Sequence, residues 1–160
     1  RWPLLIDPQL QGIKWIKGRE QNLQIVQIGQ RRWLNTIVNA VQMGQVVLIE
    51  NIGEALDATL DPILSRSVIK RGRSNFIKIG SEEVPYHDKF RLILQTKLSN
   101  PHYKPEIAAQ CTLINFIVTE EVRTWNTQTQ TQTHGMLSFL LLLRILSDRN
   151  TGFPVKSIHP

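Results

Sequence analysis

The sequence predicts a layered α/β fold organised on a five-stranded, mainly parallel sheet. Two observations predict it. Five short apolar runs, at residues 2–6, 23–28, 46–49, 90–94 and 112–118, alternate with stretches of helical periodicity. The run 46–49 (VVLI) is continuously aliphatic rather than alternating, as expected of a strand covered on both faces.

In chain order, residues 2–6 (WPLLI) read as a buried strand. Asp7 and Pro8 then open a helix, with Asp7 as N-cap and Pro8 at the first helical position. Leu10, Ile13 and Ile16, at threefold spacing, place that helix at residues 8–17 and pack it back on the strand. Residues 23–28 alternate apolar and polar until Gly29 stops them. Trp33, Leu34, Ile37, Val38 and Val41 share one face of a helix at 31–43, and Gly44 is its C-terminal stop. The strand 46–49 runs into Glu50 and Asn51. Asp61-Pro62 opens a short helix by the same capping logic, with Ile63 and Leu64 facing inward. Residues 68–84 carry two extended runs around a basic turn at Gly72, with another turn at Gly80, and read as a β-hairpin excursion. The strand 90–94 leaves through Thr96 and Lys97 to the turn Ser99-Asn100-Pro101. A short helix at 105–111 precedes the last strand. After Glu121 the texture changes. An uncharged Gln/Thr alternation marks residues 122–135 as a linker, and residues 136–160 form a tail with a short apolar helix.

At 160 residues the chain supports one domain with a real core. A net charge of +6 and a pI near 9.8 allow an acidic partner. The charges are scattered, however, and the one tight cluster, Lys70, Arg71, Arg73 and Lys78, reads as a solvated hairpin, so no nucleic-acid partner is expected. The single cysteine, Cys111, precludes an internal disulfide and points to a reducing compartment. No leader is recognisable, and no apolar run approaches the ~20 residues of a membrane span, so no membrane partner is expected. The absence of an initial Met reads as a fragment of something longer.

Strand, tight loop and helix at residues 2–17 form the geometry in which nucleotide-binding proteins hold phosphate on free helical N–H groups. The cradle itself requires G-x-x-x-x-G-K-[ST], which the sequence lacks. Asp7 stands in the corner where a phosphate would sit. At about 4 Å and an effective dielectric near 20, two like unit charges repel by roughly 4 kcal/mol. The corner therefore reads either as an ordinary capped helix or as a nucleotide-type corner that no longer takes nucleotide. Its residues are Asp7, Pro8, Gln9, Gln11 and Gly12. An α/β NTPase also ends its third strand in two acids, one for Mg²⁺ and one to activate water. Here the pair is Glu50 and Asn51, and Asn51 cannot accept a proton as a base. The remaining candidates are poor. His87, His102, His134 and His159 lack metal-ligand spacing, no serine sits in G-x-S-x-G, and Asp57 and Asp61 flank a helix start as caps. Cys111, among Ile107, Ala108, Ala109 and Leu113, reads as a packed core thiol. Trp2, Trp15 and Trp33 lie on faces expected to turn inward.

Four strings, RWPLLIDPQLQGIKWIK, VVLIEN, FRLILQTKLSNPHYKPE and TLINFIVT, together resemble the fifth AAA+ module of dynein heavy chains of the axonemal type. The resemblance covers residues 1–121 in the right order. It implies a P-loop NTPase-like AAA+ large subdomain, one of six modules in a ring, following the stalk that carries the microtubule-binding tip. It further implies a structural, force-transmitting role, with no cofactor in this module and ATP and Mg²⁺ in others. The implied partners are neighbouring modules, stalk and buttress, with microtubules reached indirectly, in the cytoplasm at the cytoskeleton of a ciliary or flagellar axoneme. Asn100 lies near where AAA+ proteins place a polar sensor, and reads here as a turn former. The segment 105–111, which in active modules precedes an arginine finger, contains no arginine. The chain departs from the family after Glu121. Where members continue with a Gly-Leu-Glu-Asp-Gln-Leu-Leu type segment and a helical lid, it reads VRTWNTQTQTQTHGMLSFLLLL.

Two rival readings stand against this one. A free-standing P-loop-like enzyme would need Lys14 or Lys17 in place of the loop lysine, and both are expected to point away from the helix N-terminus. A small basic nucleic-acid-binding protein would use the hairpin of Lys70 to Lys78.

Overall fold

A computed structural model describes residues 1–116. The expected linker and tail, 122–135 and 136–160, lie outside the described residues, as do His134 and His159. The elements run β1 (Trp2–Ile6), α1 (Gln11–Arg19), β2 (Leu23–Gln27), α2 (Trp33–Met43), β3 (Val46–Glu50), a 3₁₀ turn (Ala58–Leu60) and α3 (Asp61–Ser65). They continue through β4 (Val68–Arg71), β5 (Ser74–Ile79), β6 (Glu82–Pro85), β7 (Arg91–Thr96), α4 (Pro105–Gln110) and β8 (Cys111–Asn115). The expected α/β class holds. The main sheet has five strands in the order β2-β3-β7-β1-β8, and every neighbouring pair is parallel.

Adjacent residues of a strand face opposite sides of a sheet, so burial of consecutive residues means both faces are covered. Leu4, Val47, Ile49, Leu92 and Leu94 join one core with Ile37 of α2, Ile63 of α3 and Ile107 of α4. The intervening Leu5, Leu48 and Ile93 are equally buried on the opposite face. Gly12 of α1 lies against Leu5 there. This is a three-layer arrangement, and it explains why these strands show no polar alternation. The first strand is interior, between β7 and β8. Because all five strands point the same way, the ends of β1, β3 and β7 meet at one edge, where open α/β sheets place their ligands.

Several local expectations are corrected. The hairpin excursion is a three-stranded antiparallel sheet, β4-β5-β6, whose Ile77, Ile79 and Val84 turn into the main core. The strand β7 continues two residues further than its apolar run, taking in Gln95 and Thr96, because both polar side chains find partners across the sheet. Cys111 opens β8 rather than closing α4. Asp61 is the first residue of α3 and makes no cap hydrogen bond, whereas Asp57 accepts the Thr59 N–H and caps the 3₁₀ turn. The first helix begins at Gln11, three residues later than the Asp-Pro signal implies.

Candidate nucleotide-type corner

That late start defines the site. Residues 8–10 form a loop, ending at Leu10 with φ 59° and ψ 27°. Asp7, at the tip of β1, is wholly buried. Its carboxylate reaches across the loop to the exposed end of α1, where Oδ1 accepts the Gln11 N–H at 2.8 Å and Oδ2 the Ile13 N–H at 3.0 Å. Asp7 therefore satisfies the helix N-terminus as expected, from beyond a loop rather than from the N-cap position. Pro8 is not the first helical residue. Gln9 lies in the loop, with its Oε1 accepting from Gln11 Nε2 at 3.1 Å.

If Gly12 is aligned with the second glycine of the phosphate loop, Asp7 falls at the first. Ile13 then stands in the lysine position and Lys14 in the Ser/Thr position. Gly12 is held to glycine by its surroundings. A Cβ there would meet Leu5 Cδ2 at 2.9 Å, Phe116 Cε2 at 3.1 Å and Asp7 Oδ2 at 3.2 Å. Ile13 is buried. In that frame the N–H groups of Gln11 and Ile13 already bind a carboxylate, an aliphatic side chain stands in the position of the ammonium, and a lysine in that of the hydroxyl.

Glu50 ends β3 beside the corner, with Lys17 Nζ 2.8 Å from its Oε1 and Gln27 Nε2 3.4 Å from its Oε2. The expectation that Lys17 points away is thus corrected. Side chains on a helix tilt toward its N-terminus, and this one returns to the sheet edge. Asn51 adopts φ 55° and donates its N–H to Gln95 Oε1 at 2.8 Å. Asn100 is an exposed bend residue. The polar groups that reach the corner from the neighbouring strand are Gln95 and Thr96, which sequence reading passed over as the exit of the strand. Their signal was weak, two polar residues closing a buried run.

The other candidates resolve simply. Arg71 pairs with Glu83 at 2.9 Å, and Lys78 lies opposite the same Glu83 in the β5–β6 register, so one carboxylate faces two of the four cations of the basic hairpin. His102 Nδ1 lies 3.7 Å from Glu54 Oε1. Among the described residues no three His, Cys, Asp or Glu side chains gather closely enough for a metal ion, and no helix is long and apolar enough to cross a membrane. Trp2 is core, while Trp15 and Trp33 are half-buried.

Cys111 is buried as expected, and burial pushes its thiol from an ordinary 9.0 up to about 11. A thiol whose pKa is raised on folding contributes stability that is complete below the unfolded value and lost as pH climbs through the folded one. Wild type is therefore expected to lose on the order of 2 kcal/mol relative to Cys111→Ala between pH 9 and 11, read from urea midpoints across that window. Parallel pH profiles for the two chains would contradict it.

Known proteins agree with this architecture. The family described as ATP-binding dynein motor region matches residues 1–123. The ciliary dynein beta chain of Heliocidaris crassispina is 62% identical over 122 residues, covering 76% of this chain. Dynein axonemal heavy chain 17 of Mus musculus is 59% identical, also over 76% of the chain. The beta chain of the flagellar outer arm dynein of Chlamydomonas reinhardtii is 54% identical over 123 residues and 76% of the chain. The chain spans about 3% of the length of each of these relatives. Parallel sheet and matched residues lead to one conclusion: this chain belongs to the ATP-binding dynein motor region family.

Proposed function

We propose that this chain is a non-catalytic piece of a dynein heavy chain, the large subdomain of its fifth AAA+ module. It serves as a structural and force-transmitting element of an ATP-driven microtubule motor that moves cilia or flagella. One observation carries the reading, the Asp7 carboxylate seated on the N–H groups of Gln11 and Ile13. The lysine at the acid strand supports it, since Glu50 is neutralised by Lys17 from within the chain. Binding and hydrolysis of ATP with Mg²⁺ belong to other modules of the parent motor, and this one couples its neighbours to the stalk and buttress. Microtubules are reached only through that stalk. The names of the relatives, ciliary, axonemal and flagellar, support a place in the axoneme.

Isothermal titration calorimetry of the 160-residue chain with ATP–Mg²⁺ tests the central point. The expected result is no saturable heat through the micromolar range. A micromolar dissociation constant, at or tighter than about −8 kcal/mol of binding free energy, would show that the corner takes nucleotide after all.

A further inference from the structure

We propose that Gln95 and Thr96 lock the corner after β1 to the turn after β3, so that the two open only together, with the Asp7 carboxylate as a built-in anion holding the helix end. Gln95 is a positioning residue in this device. The proposal rests on the reading of the corner as closed to nucleotide, and adds a mechanical consequence.

Every link is a hydrogen bond between separate segments. The wholly buried Gln95 donates from Nε2 to the Asp7 carbonyl at 3.2 Å and accepts the Asn51 N–H on Oε1 at 2.8 Å. Its own carbonyl accepts the Ile52 N–H at 2.9 Å. Thr96, equally buried, accepts the Asp7 N–H on its carbonyl at 2.9 Å and donates its hydroxyl to the Ile52 carbonyl at 2.8 Å. Two consecutive residues of β7 thus grip both neighbouring strand ends. A buried amide that loses one arm leaves a donor or acceptor unpaired, so the arms favour one another.

Backbone conformation supplies an independent observation. Leu10 and Asn51, at φ 59° and 55°, are non-glycine residues in the left-handed region, one on each side of the grip. Such residues persist where the surroundings over-determine them. Leu10 closes the loop whose two ends Asp7 ties together, and the N–H of Asn51 is the one that Gln95 holds. In a nucleotide-dependent corner the anion comes and goes. Here it is attached to the chain, and the corner keeps one state.

Native-state hydrogen exchange on the whole chain, followed by NMR through sub-denaturing urea, tests this directly. The amides of Asp7, Gln11, Ile13, Asn51 and Ile52 are expected to share one opening with one urea dependence. Exchange of Asn51 and Ile52 through an opening that leaves Gln11 and Ile13 protected would overturn the proposal. Gln95→Leu should accelerate exchange at Gln11 and Ile13, which Gln95 does not touch, by roughly tenfold or more while core amides such as Leu48 hold. Unchanged rates at those two amides in a folded variant would overturn it equally, and if the variant does not fold, the urea series on wild type decides. Slowing of Gln11 and Ile13 on addition of ATP–Mg²⁺ would instead count against the closed corner, a failure distinct from loss of the shared opening.

Discussion

Replacing Asp7 by alanine is expected to destabilise the chain by about 3 kcal/mol, read from urea unfolding followed by tryptophan fluorescence. The side chain is wholly buried and fills two acceptor positions at the start of α1. Its removal orphans the N–H of Gln11 and the more deeply buried N–H of Ile13. Each such donor costs about 1–3 kcal/mol, against which the chain recovers part of the cost of burying a carboxylate. The loop that ends at Leu10 also loses the side-chain tie between its two ends. Asp7→Asn separates charge from geometry, since an amide oxygen can still serve one of the two N–H groups. It should cost about half as much, roughly 1–2 kcal/mol. A loss below about 1 kcal/mol for the alanine variant would show that solvent or another group satisfies the helix end, and that the carboxylate is incidental.

Much of this architecture was legible because parallel strands buried on both faces write themselves as unbroken apolar runs. VVLI and the LIL of residues 92–94 could be read without reference to any partner. The corner was half legible. Asp-Pro is a sound helix-start signal, but it cannot reveal that the helix waits until Gln11, because the delay depends on a leucine in a conformation that leucine normally avoids. The third strand of the excursion, Glu82–Pro85, was hidden by its composition. Two exposed acids and a terminal proline carry no strand signal, and only Val84 reaches the core. Gln95 and Thr96 were hidden for the converse reason. Polarity at the end of an apolar run looks like an exit to solvent, and only the assembled sheet shows that Asp7, Asn51 and Ile52 are waiting there. Lys17 and Glu50 likewise meet through the fold, not through any local spacing.

Truncating Trp2 to alanine should be the most damaging single change, costing about 4–5 kcal/mol, near the upper end for removal of a buried aromatic. Trp2 is almost fully buried and packs edge-on against Phe90, with ring centroids 5.9 Å apart. The Arg66 guanidinium lies 4.0 Å from the centre of its ring, a contact that also depends on Arg66 holding φ 53° at the end of α3. The indole N–H reaches the carbonyls of Ile63 at 3.0 Å and Leu64 at 3.2 Å. Those carbonyls belong to the last turn of α3, where the Ile63 carbonyl also accepts the Arg66 N–H at 3.2 Å, so the indole adds to the bonds that close a five-residue helix. One side chain of the first strand therefore finishes a helix some sixty residues away, and β4 begins immediately beyond it. Trp2→Phe keeps an aromatic ring for Phe90 and Arg66 and loses the N–H, so its cost should fall to about 1–2 kcal/mol. The same pair of variants should differ in local protection. With phenylalanine, the amides of Arg66 and Ser67 at the end of α3 should exchange faster while those of β1 and β7 stay protected. With alanine, protection should fall throughout the sheet, because a loss of this size is comparable to the 5–15 kcal/mol that holds a domain together. Equal unfolding midpoints for the two variants would mean that the indole N–H, rather than the packing of the ring, holds α3 to the sheet.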